Sequence, residues 1–238
     1  MPPASPEPVL PRPRPERVTL EGRYVRLEPL DAARHAAGLY EVGGGPAGEP
    51  LYQFLADLPP RDIEDLRRKL AVDAAREDPL AFAVAEPRSG TALGRQSLMR
   101  IEPAHGVIEI GSILWGPAMS RSRRATEAFQ LAASYVFDTL GYRRLEWKCN
   151  ARNLPSRAAA LRFGFRYEGL FRQHMWIKGR NRDSAWFGMT DGDWAALSPV
   201  YRDWLDPANF DAAGRQRRGL RELAAAAGIP PGIDGVPA

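Results

Sequence analysis

A strand, a loop and a helix follow one another between residues 109 and 128, and their composition suits an anion-binding site. The first amides of a helix lack hydrogen-bond partners and carry the positive end of the helix dipole, so they attract negative charge. This helix begins near Ser122, and three arginines add positive charge there: Arg121, Arg123 and Arg124. A pyrophosphate would suit such a site. An ordinary basic helix start explains the same residues equally well.

A second block, residues 141–169, has a more specific pattern. Asn153 is followed by Ser156, and a Gly-Phe pair begins eleven residues after the asparagine. Together with the preceding strand, loop and helix, this block resembles the acyl-CoA-binding half of the GNAT N-acetyltransferase superfamily. It is most similar to the branch of ribosomal-protein N-terminal-amine acetyltransferases (RimJ and RimL type). The resemblance spans residues 20–194 and is strongest over 108–193.

The resemblance implies acetyl-CoA as co-substrate. Main-chain groups would contact the pantetheine arm and polarise the acetyl carbonyl at Ile113, Leu114 and Trp115. The pyrophosphate would be held by Ser120, Arg121, Ser122, Arg123, Arg124, Ala125 and Thr126. Asn153 and Ser156 would lie near the thioester sulfur. The implied reaction is direct attack of a primary amine on the acetyl group, with both reactants held at near-attack distance.

The sequence departs from the family pattern at two places. The family loop reads Gln/Arg-x-x-Gly-x-Gly/Ala, but here Ser120 takes the first position and Arg123 takes that of the central glycine. Glycine lets backbone approach a ligand closely, whereas arginine could reach the phosphates with its side chain or disrupt the loop. The tyrosine that serves many members as general acid is replaced by Ala160. Ser156 is then the candidate for protonating the leaving thiolate.

Glu109 is the candidate general base, because it lies on the central strand just before the predicted pantetheine contacts. A carboxylate paired with Arg100, with ordered water as the proton acceptor, is the alternative. Arg172 and His174 are candidates for recognising the acceptor, although a hydrogen-bonded loop histidine explains His174 as well. Cys149 alternates with apolar residues on one strand and is interpreted as a buried structural thiol.

Composition excludes several classes of protein. The chain has 238 residues, of which 44% are apolar, which is enough for one sizeable core. Its net charge of +4 is too small for a strongly cationic nucleic-acid coat protein, and we expect no nucleic-acid partner. One cysteine and three scattered histidines predict no disulfide framework and no metal site. No run of 18 apolar residues and no secretory signal is visible, so we expect a cytoplasmic protein with no membrane partner.

The elements that would position these residues predict a single α/β (α+β) domain. The predicted strands are residues 18–27, 81–85, 92–101, 107–114, 145–149, 167–171, 175–178 and 185–189, and the predicted helices are 30–40, 61–76, 122–140 and 155–163. This order predicts a mixed, mostly antiparallel sheet flanked by helices, with a parallel crossover after the cofactor-binding strand. We expect a Pro/Arg-rich disordered arm over 1–17, the GNAT-like domain over 18–194, and a C-terminal tail with a weak helix over 195–238.

The leading hypothesis is therefore an acetyl-CoA-dependent N-acetyltransferase whose acceptor is a protein N-terminal amine or a small-molecule amine. A non-catalytic CoA-binding module is one alternative, suggested by the altered loop. A ribosome- or RNA-associated protein that uses the basic segments at both ends is another. A homodimer formed through sheet edges or the C-terminal tail also stays open.

Overall fold

The computed structural model describes residues 9–236, which form an eight-stranded sheet with the spatial order β1-β2-β3-β4-β5-β6-β8-β7. The strands are β1 (Leu20–Glu21), β2 (Arg26–Pro29), β3 (Leu80–Ala85), β4 (Ala92–Glu102), β5 (Val107–Trp115), β6 (Arg144–Asn150), β7 (Arg166–Ile177) and β8 (Arg180–Thr190). Neighbouring strands are antiparallel except for β5 and β6, which are parallel. The predicted mixed sheet with one parallel crossover is confirmed.

The helices are α1 (Ala32–Gly43), α2 (Gly45–Gly48), α3 (Ile63–Ala75), α4 (Arg123–Ser134), α5 (Leu154–Arg162), α6 (Asp191–Leu205) and α7 (Leu220–Ala226). Several begin at residues whose side chains accept a hydrogen bond from a first-turn N–H, which stabilises the helix start. These caps are Asp31, Asp62, Ser122 and Asn153. Within residues 9–236, no helix is long and apolar enough to cross a lipid bilayer.

Helices cover both faces of the sheet, as the alternation along β3 shows. Leu80, Phe82 and Val84 belong to the larger core, which also contains apolar residues of α4, α5 and α6. Ala81 and Ala83 point the opposite way, into a smaller core with apolar residues of α1 and α3. Because successive residues of a strand face opposite sides, residues on β5 and β6 are divided between the same two faces.

Several elements differ from the sequence prediction. The strand predicted over 18–27 is two short strands, β1 and β2, which pair antiparallel with each other. The helix predicted over 122–140 ends at Ser134 and continues as one wider, π-type turn over Tyr135–Thr139. The strands predicted over 167–171 and 175–178 are a single strand, β7, with an irregular register between Phe171 and Met175. Gln173 takes a left-handed backbone conformation, φ +51°, within this irregular stretch.

The C-terminal residues pack against the same core. Helix α6 runs across residue 194, where we had expected the domain to end, because both sides of that position carry buried residues. These are Trp194, Leu197, Val200, Tyr201 and Trp204. Further along, Asp234 forms a 2.8 Å ion pair with Arg157 of α5, and Val236 packs against the core.

The Pro/Arg-rich segment lies along the domain over residues 9–17. The Glu16 N–H donates a hydrogen bond to the Tyr135 hydroxyl at 2.8 Å. The Arg17 guanidinium donates to a main-chain carbonyl at the end of α3 at 2.9 Å. The first eight residues of the predicted disordered arm lie outside the described residues.

Candidate active site

Strands β5 and β6 separate after a short paired stretch. Their parallel register joins only Val107 to Glu109 with Arg144 to Glu146. Beyond it, β5 stays paired with β4 on its other edge, and β6 stays paired with β8. The facing edges of the two strands therefore have no strand partner in the described part of the chain. An opening at the carboxyl ends of parallel strands is a position where α/β sheets bind ligands.

A β-bulge lies in the unpaired part of β5. Arg95 of β4 opposes Leu114 and Ser97 opposes Gly111, so β5 has one extra residue over this stretch. Ser112 adopts a φ of +50° within it. A bulge bends a strand and redirects its backbone groups. Here it alters the stretch that was predicted to contact pantetheine.

Helix α4 begins beside the end of β5, and its first turn is fixed by Ser122. The Ser122 hydroxyl donates to the Met119 carbonyl at 2.7 Å and accepts the Ala125 N–H at 3.4 Å. Met119 is fully buried, whereas Ser120 and Arg121 are exposed. The loop is thus anchored from inside and presents its outer residues and the first amides of α4 to solvent.

Two of the three loop arginines interact elsewhere. The Arg123 guanidinium lies over the rings of Tyr24, 4.3 Å from the centroid, and Phe210, at 5.3 Å. Arg124 forms a 3.2 Å ion pair with Glu86. These interactions neutralise or cover charge that the sequence had suggested for phosphate binding. The arginine at the family's glycine position connects the helix start to segments near both ends of the fold.

Thr126, another predicted cofactor contact, faces inward. Its side chain is fully buried, and its hydroxyl accepts a hydrogen bond from Arg162 at 3.0 Å. Arg121 makes no ion pair with any described residue. Among the side chains predicted for the pyrophosphate, Arg121 is therefore the cation left exposed at the loop.

Asn153 and Ser156 lie together at the start of α5, beside the open end of β6. The Asn153 side-chain oxygen accepts the Ser156 N–H at 3.1 Å. The Ser156 hydroxyl accepts the Trp147 indole N–H at 3.0 Å and lies next to the Cys149 thiol. Because a hydroxyl can accept and donate at once, Ser156 keeps a hydrogen to donate. Burial raises the pKa of Cys149, although the contact with Ser156 opposes this.

Glu109 is buried on the face of the sheet opposite to α5. Its carboxylate lies 3.0 Å from the Lys148 ammonium and 3.5 Å from the Arg100 guanidinium. Lys148 also contacts Glu146 at 2.7 Å. Burial raises the pKa of Glu109 above its ordinary value, although both cations act in the opposite direction. A buried carboxylate with a raised pKa is suited to accepting a proton near neutral pH.

The adjacent wall is formed by β7 and β8. Lys148 lies 3.8 Å from the centroid of the Trp186 ring. The His174 ring packs against Trp186, and its Nδ1 lies 2.9 Å from the Ser184 hydroxyl. The Arg182 Nε donates to the same hydroxyl at 3.2 Å. His174 is thus hydrogen-bonded, as the alternative interpretation expected, and it also borders the group around Lys148.

The structure does not bring Arg172 to this wall. Arg172 is exposed and lines a shallow depression with Gln173, Asn181 and Asp183. Arg182, from the returning strand, takes the position beside His174. The irregular register of β7 separates the two predicted acceptor-binding residues, which are only two positions apart in the sequence.

Sequence reasoning missed Lys148, Arg182 and Ser184. Lys148 lies two residues after Glu146 on a predicted strand, so the two could be placed on one face. The contact of Lys148 with Glu109, however, depends on the register between β5 and β6. Arg182 and Ser184 lie in β8 upstream of residue 185, where the predicted strand began. A longer strand prediction would have put them on one face.

Comparisons with known proteins agree with this geometry. The family described as "Acetyltransferase (GNAT) domain" matches residues 25–166. A GCN5-related N-acetyltransferase from Brucella melitensis is 53% identical, with a TM-score of 0.88 over 91% of this chain and 98% of that one. A probable acetyltransferase (GNAT family) from Chromobacterium violaceum is 40% identical, with a TM-score of 0.73 over 82% and 100%.

A more distant structure shares the fold alone. It is the Salmonella typhimurium acetyl transferase that modifies the N-terminal serine of ribosomal protein L7/L12. Its identity to this chain is 19%, with a TM-score of 0.62 over 73% of this chain and 99% of that one. No protein of curated function matches the sequence at a significant level.

Proposed function

This chain belongs to the GNAT acetyltransferase family, and we propose that it transfers the acetyl group of acetyl-CoA to a primary amine by direct attack in a ternary complex. The observation that carries this proposal is that β5 and β6 separate, which leaves an opening between Glu109 on β5 and Ser156 on α5. The two side chains belong to opposite faces of the sheet, and the opening lies between them. A reacting group held there would have a proton acceptor on one side and a proton donor on the other.

The residues around the opening fit acetyl-CoA. The unpaired edge of β5 offers N–H and C=O groups to the amides of a pantetheine arm, and the start of α4 offers amides to a pyrophosphate. The residues proposed to hold it are Ile113, Leu114, Trp115, Ser120, Arg121, Ser122, Ala125, Asn153 and Ser156. Arg123, Arg124 and Thr126 contribute through their backbone, because their side chains interact elsewhere. When bound, acetyl-CoA supplies an acetyl group on a good leaving thiolate.

Glu109 is proposed as the general base. A free α-amine has a pKa of about 8, so near neutral pH it arrives mostly protonated and must lose a proton before attack. Glu109 accepts this proton, directly or through water. The amine nitrogen then bonds to the acetyl carbon as the carbon–sulfur bond breaks, with the Ser156 hydroxyl donating a hydrogen bond to the departing sulfur. The nitrogen loses its second proton to water or to the released thiolate, which leaves the neutral amide.

Cys149 supports direct transfer over an acetylated enzyme. Its thiol is buried, and burial raises its pKa, so the thiol stays protonated and weakly nucleophilic. The rings of His35 and His174 contact Glu28 and Ser184, and no hydrogen bond joins Cys149 to a histidine within the described residues. Over residues 9–236, the thiol–base pair that covalent catalysis uses is therefore not seen at Cys149.

Family resemblance makes a protein N-terminal amine the leading acceptor class. The Salmonella typhimurium protein modifies such an amine, but its 19% identity transfers only the fold. Small amines therefore belong in the same assay as peptides.

Calorimetry and a thiol-release assay test the proposal. Acetyl-CoA and CoA should bind in isothermal titration, and thiol should be released from acetyl-CoA with at least one member of a panel of peptides and small amines. Absence of binding at millimolar concentration would refute the enzyme assignment of this site. Binding without thiol release across the panel would favour a CoA-sensing module instead.

A further inference from the structure

The Ser184 hydroxyl fixes the orientation of two side chains beside Glu109. Ser184 is fully buried and lies within hydrogen-bond distance of both Arg182 Nε and His174 Nδ1. A guanidinium only donates, so the Ser184 oxygen accepts from Arg182. The serine hydrogen then has His174 Nδ1 as its acceptor among the described residues. This arrangement leaves the proton of a neutral His174 ring on Nε2, which is a donor.

Neutrality of the His174 ring follows from its surroundings. Burial lowers the pKa of His174, and the positive charges of Arg100, Arg182 and Lys148 lower it further. The ring is therefore uncharged near neutral pH. It can still donate a hydrogen bond through Nε2 to a negatively charged group.

Arg182 carries a charge that the described chain does not pair. No carboxylate of the described residues lies within ion-pair distance of its guanidinium. Arg144 and Arg157, which are also partly buried, are paired with Glu168 and with Asp234 at 2.8 Å, whereas Arg162 has no carboxylate partner and donates to the Thr126 hydroxyl. Burial of Arg182 without such a partner lowers its pKa. Its two terminal nitrogens form no hydrogen bond with the described residues, and a guanidinium can make two parallel hydrogen bonds with a carboxylate.

Arg182 and His174 lie on the same face of the sheet as the proposed base. Arg100 lies 3.5 Å from Glu109, and its charge acts on both His174 and Arg182. The Glu109 charge also acts on Arg182. A ligand whose amine is near Glu109 would therefore extend along this face of the sheet toward Arg182.

We propose that Arg182 and His174 bind a carboxylate of the acceptor, so that the substrate is a primary amine with a carboxylate close to its amino group. This inference rests on the proposed function and narrows its acceptor class. A free amino acid and a peptide whose second residue is acidic both present this chemistry.

The test compares acceptors that differ only in the carboxylate. One arm uses L-amino acids against their carboxamides, with rates corrected for the fraction of free amine. The other uses seryl-aspartyl-glycinamide against seryl-asparaginyl-glycinamide. The readout is the ratio of kcat/KM within each pair, measured by thiol release. We expect a preference for the carboxylate of about 10- to 100-fold in at least one arm, as a charge-assisted hydrogen-bonded pair provides. The preferred arm identifies the source of the carboxylate.

Variants identify the residue responsible. Arg182→Gln should abolish the preference by raising KM for the carboxylate acceptor, with little change for its uncharged partner. Arg182→Lys keeps the charge and should retain part of the preference. Arg180→Gln removes the same charge from the exposed end of the same strand and should leave the ratio unchanged. A general structural defect would lower both members of a pair equally.

Three results would overturn the inference. They are a wild-type ratio near one in both arms, a full preference retained by Arg182→Gln, and equal losses for both members of a pair in Arg182→Gln and Arg182→Lys. Thiol release with amines but without a carboxylate preference leaves the proposed function standing. Absence of thiol release with every amine removes the proposed function and this inference together.

Discussion

The substitution Glu109→Gln tests the proposed base most directly. Glutamine keeps the size of the side chain and an oxygen that can face Lys148, but it cannot accept the amine proton. Loss of a general base costs about 100- to 10,000-fold in rate, which corresponds to about 3 to 5.5 kcal/mol of transition-state stabilisation. We expect kcat for the best acceptor to fall within this range.

The pH profile provides the second part of this test. Because the pKa of Glu109 is raised in the fold, the wild-type rate should decline as the pH falls through that value and the carboxyl becomes protonated. The Gln variant should lose this acidic limb. The same raised pKa means that Glu109 holds its proton more tightly in the folded chain than in the unfolded chain. Its contribution to stability is therefore largest at low pH and decreases as the pH rises through the raised pKa.

A matched control separates chemistry from packing. Glu146→Gln also removes one carboxylate from Lys148, which would keep its 3.0 Å contact with Glu109. In each variant Lys148 retains one carboxylate, so we expect a loss of about 1–3 kcal/mol in the free energy of unfolding, below the cost of a lysine left wholly unpaired. Only Glu109→Gln should abolish the acidic limb. A wild-type kcat and pH profile in Glu109→Gln would assign proton removal to water.

Three further variants test the residues around the opening. Ser156→Ala leaves the Trp147 N–H without an acceptor. We therefore expect slower transfer and a loss of about 1–3 kcal/mol in the free energy of unfolding, measured by denaturation. Recovery of the full rate in a double variant with Trp147→Phe would reduce Ser156 to a structural role. Asn153→Ala removes a helix cap worth about 1 kcal/mol and should slow transfer, whereas Asn153→Asp should retain the cap. An unchanged rate in Asn153→Ala would remove Asn153 from the site. Arg123→Ala loses its position over two aromatic rings and should cost about 1 kcal/mol in urea denaturation with CoA affinity retained. A selective loss of CoA affinity in calorimetry would instead indicate a direct phosphate contact.

Features determined by short sequence spacing were predictable. Ser122 and Asn153 are residues that cap helices, and each does so, which sets the starts of α4 and α5. The three-residue step from Asn153 to Ser156 is one helical turn, so their contact follows from helix geometry. The position of Glu109 on a central strand followed from the order of strands and helices.

Features that depend on distant packing were not predictable. Arg123 lies over Tyr24 and Phe210, which are about a hundred residues before it and almost ninety after it. Its place at a helix start and in the loop that resembles the family's pyrophosphate loop made Arg123 a candidate phosphate ligand. Likewise, the boundary at residue 194 followed a resemblance that ended there, whereas α6 continues because Trp204 and its neighbours bury an apolar face.

The separation of β5 and β6 also affects the stability of the folded chain and therefore how long it survives in the cell. The backbone ladder between the two halves of the sheet consists of three register pairs, so this seam contributes little of its own to holding the halves together. A ligand that spans both strand edges binds only the folded sheet and stabilises it by mass action, by about 2.7 kcal/mol at a concentration one hundred times its dissociation constant. Turnover of the protein in the cell should therefore slow when its acyl donor is abundant, which would couple the amount of enzyme to metabolic state without a dedicated regulator.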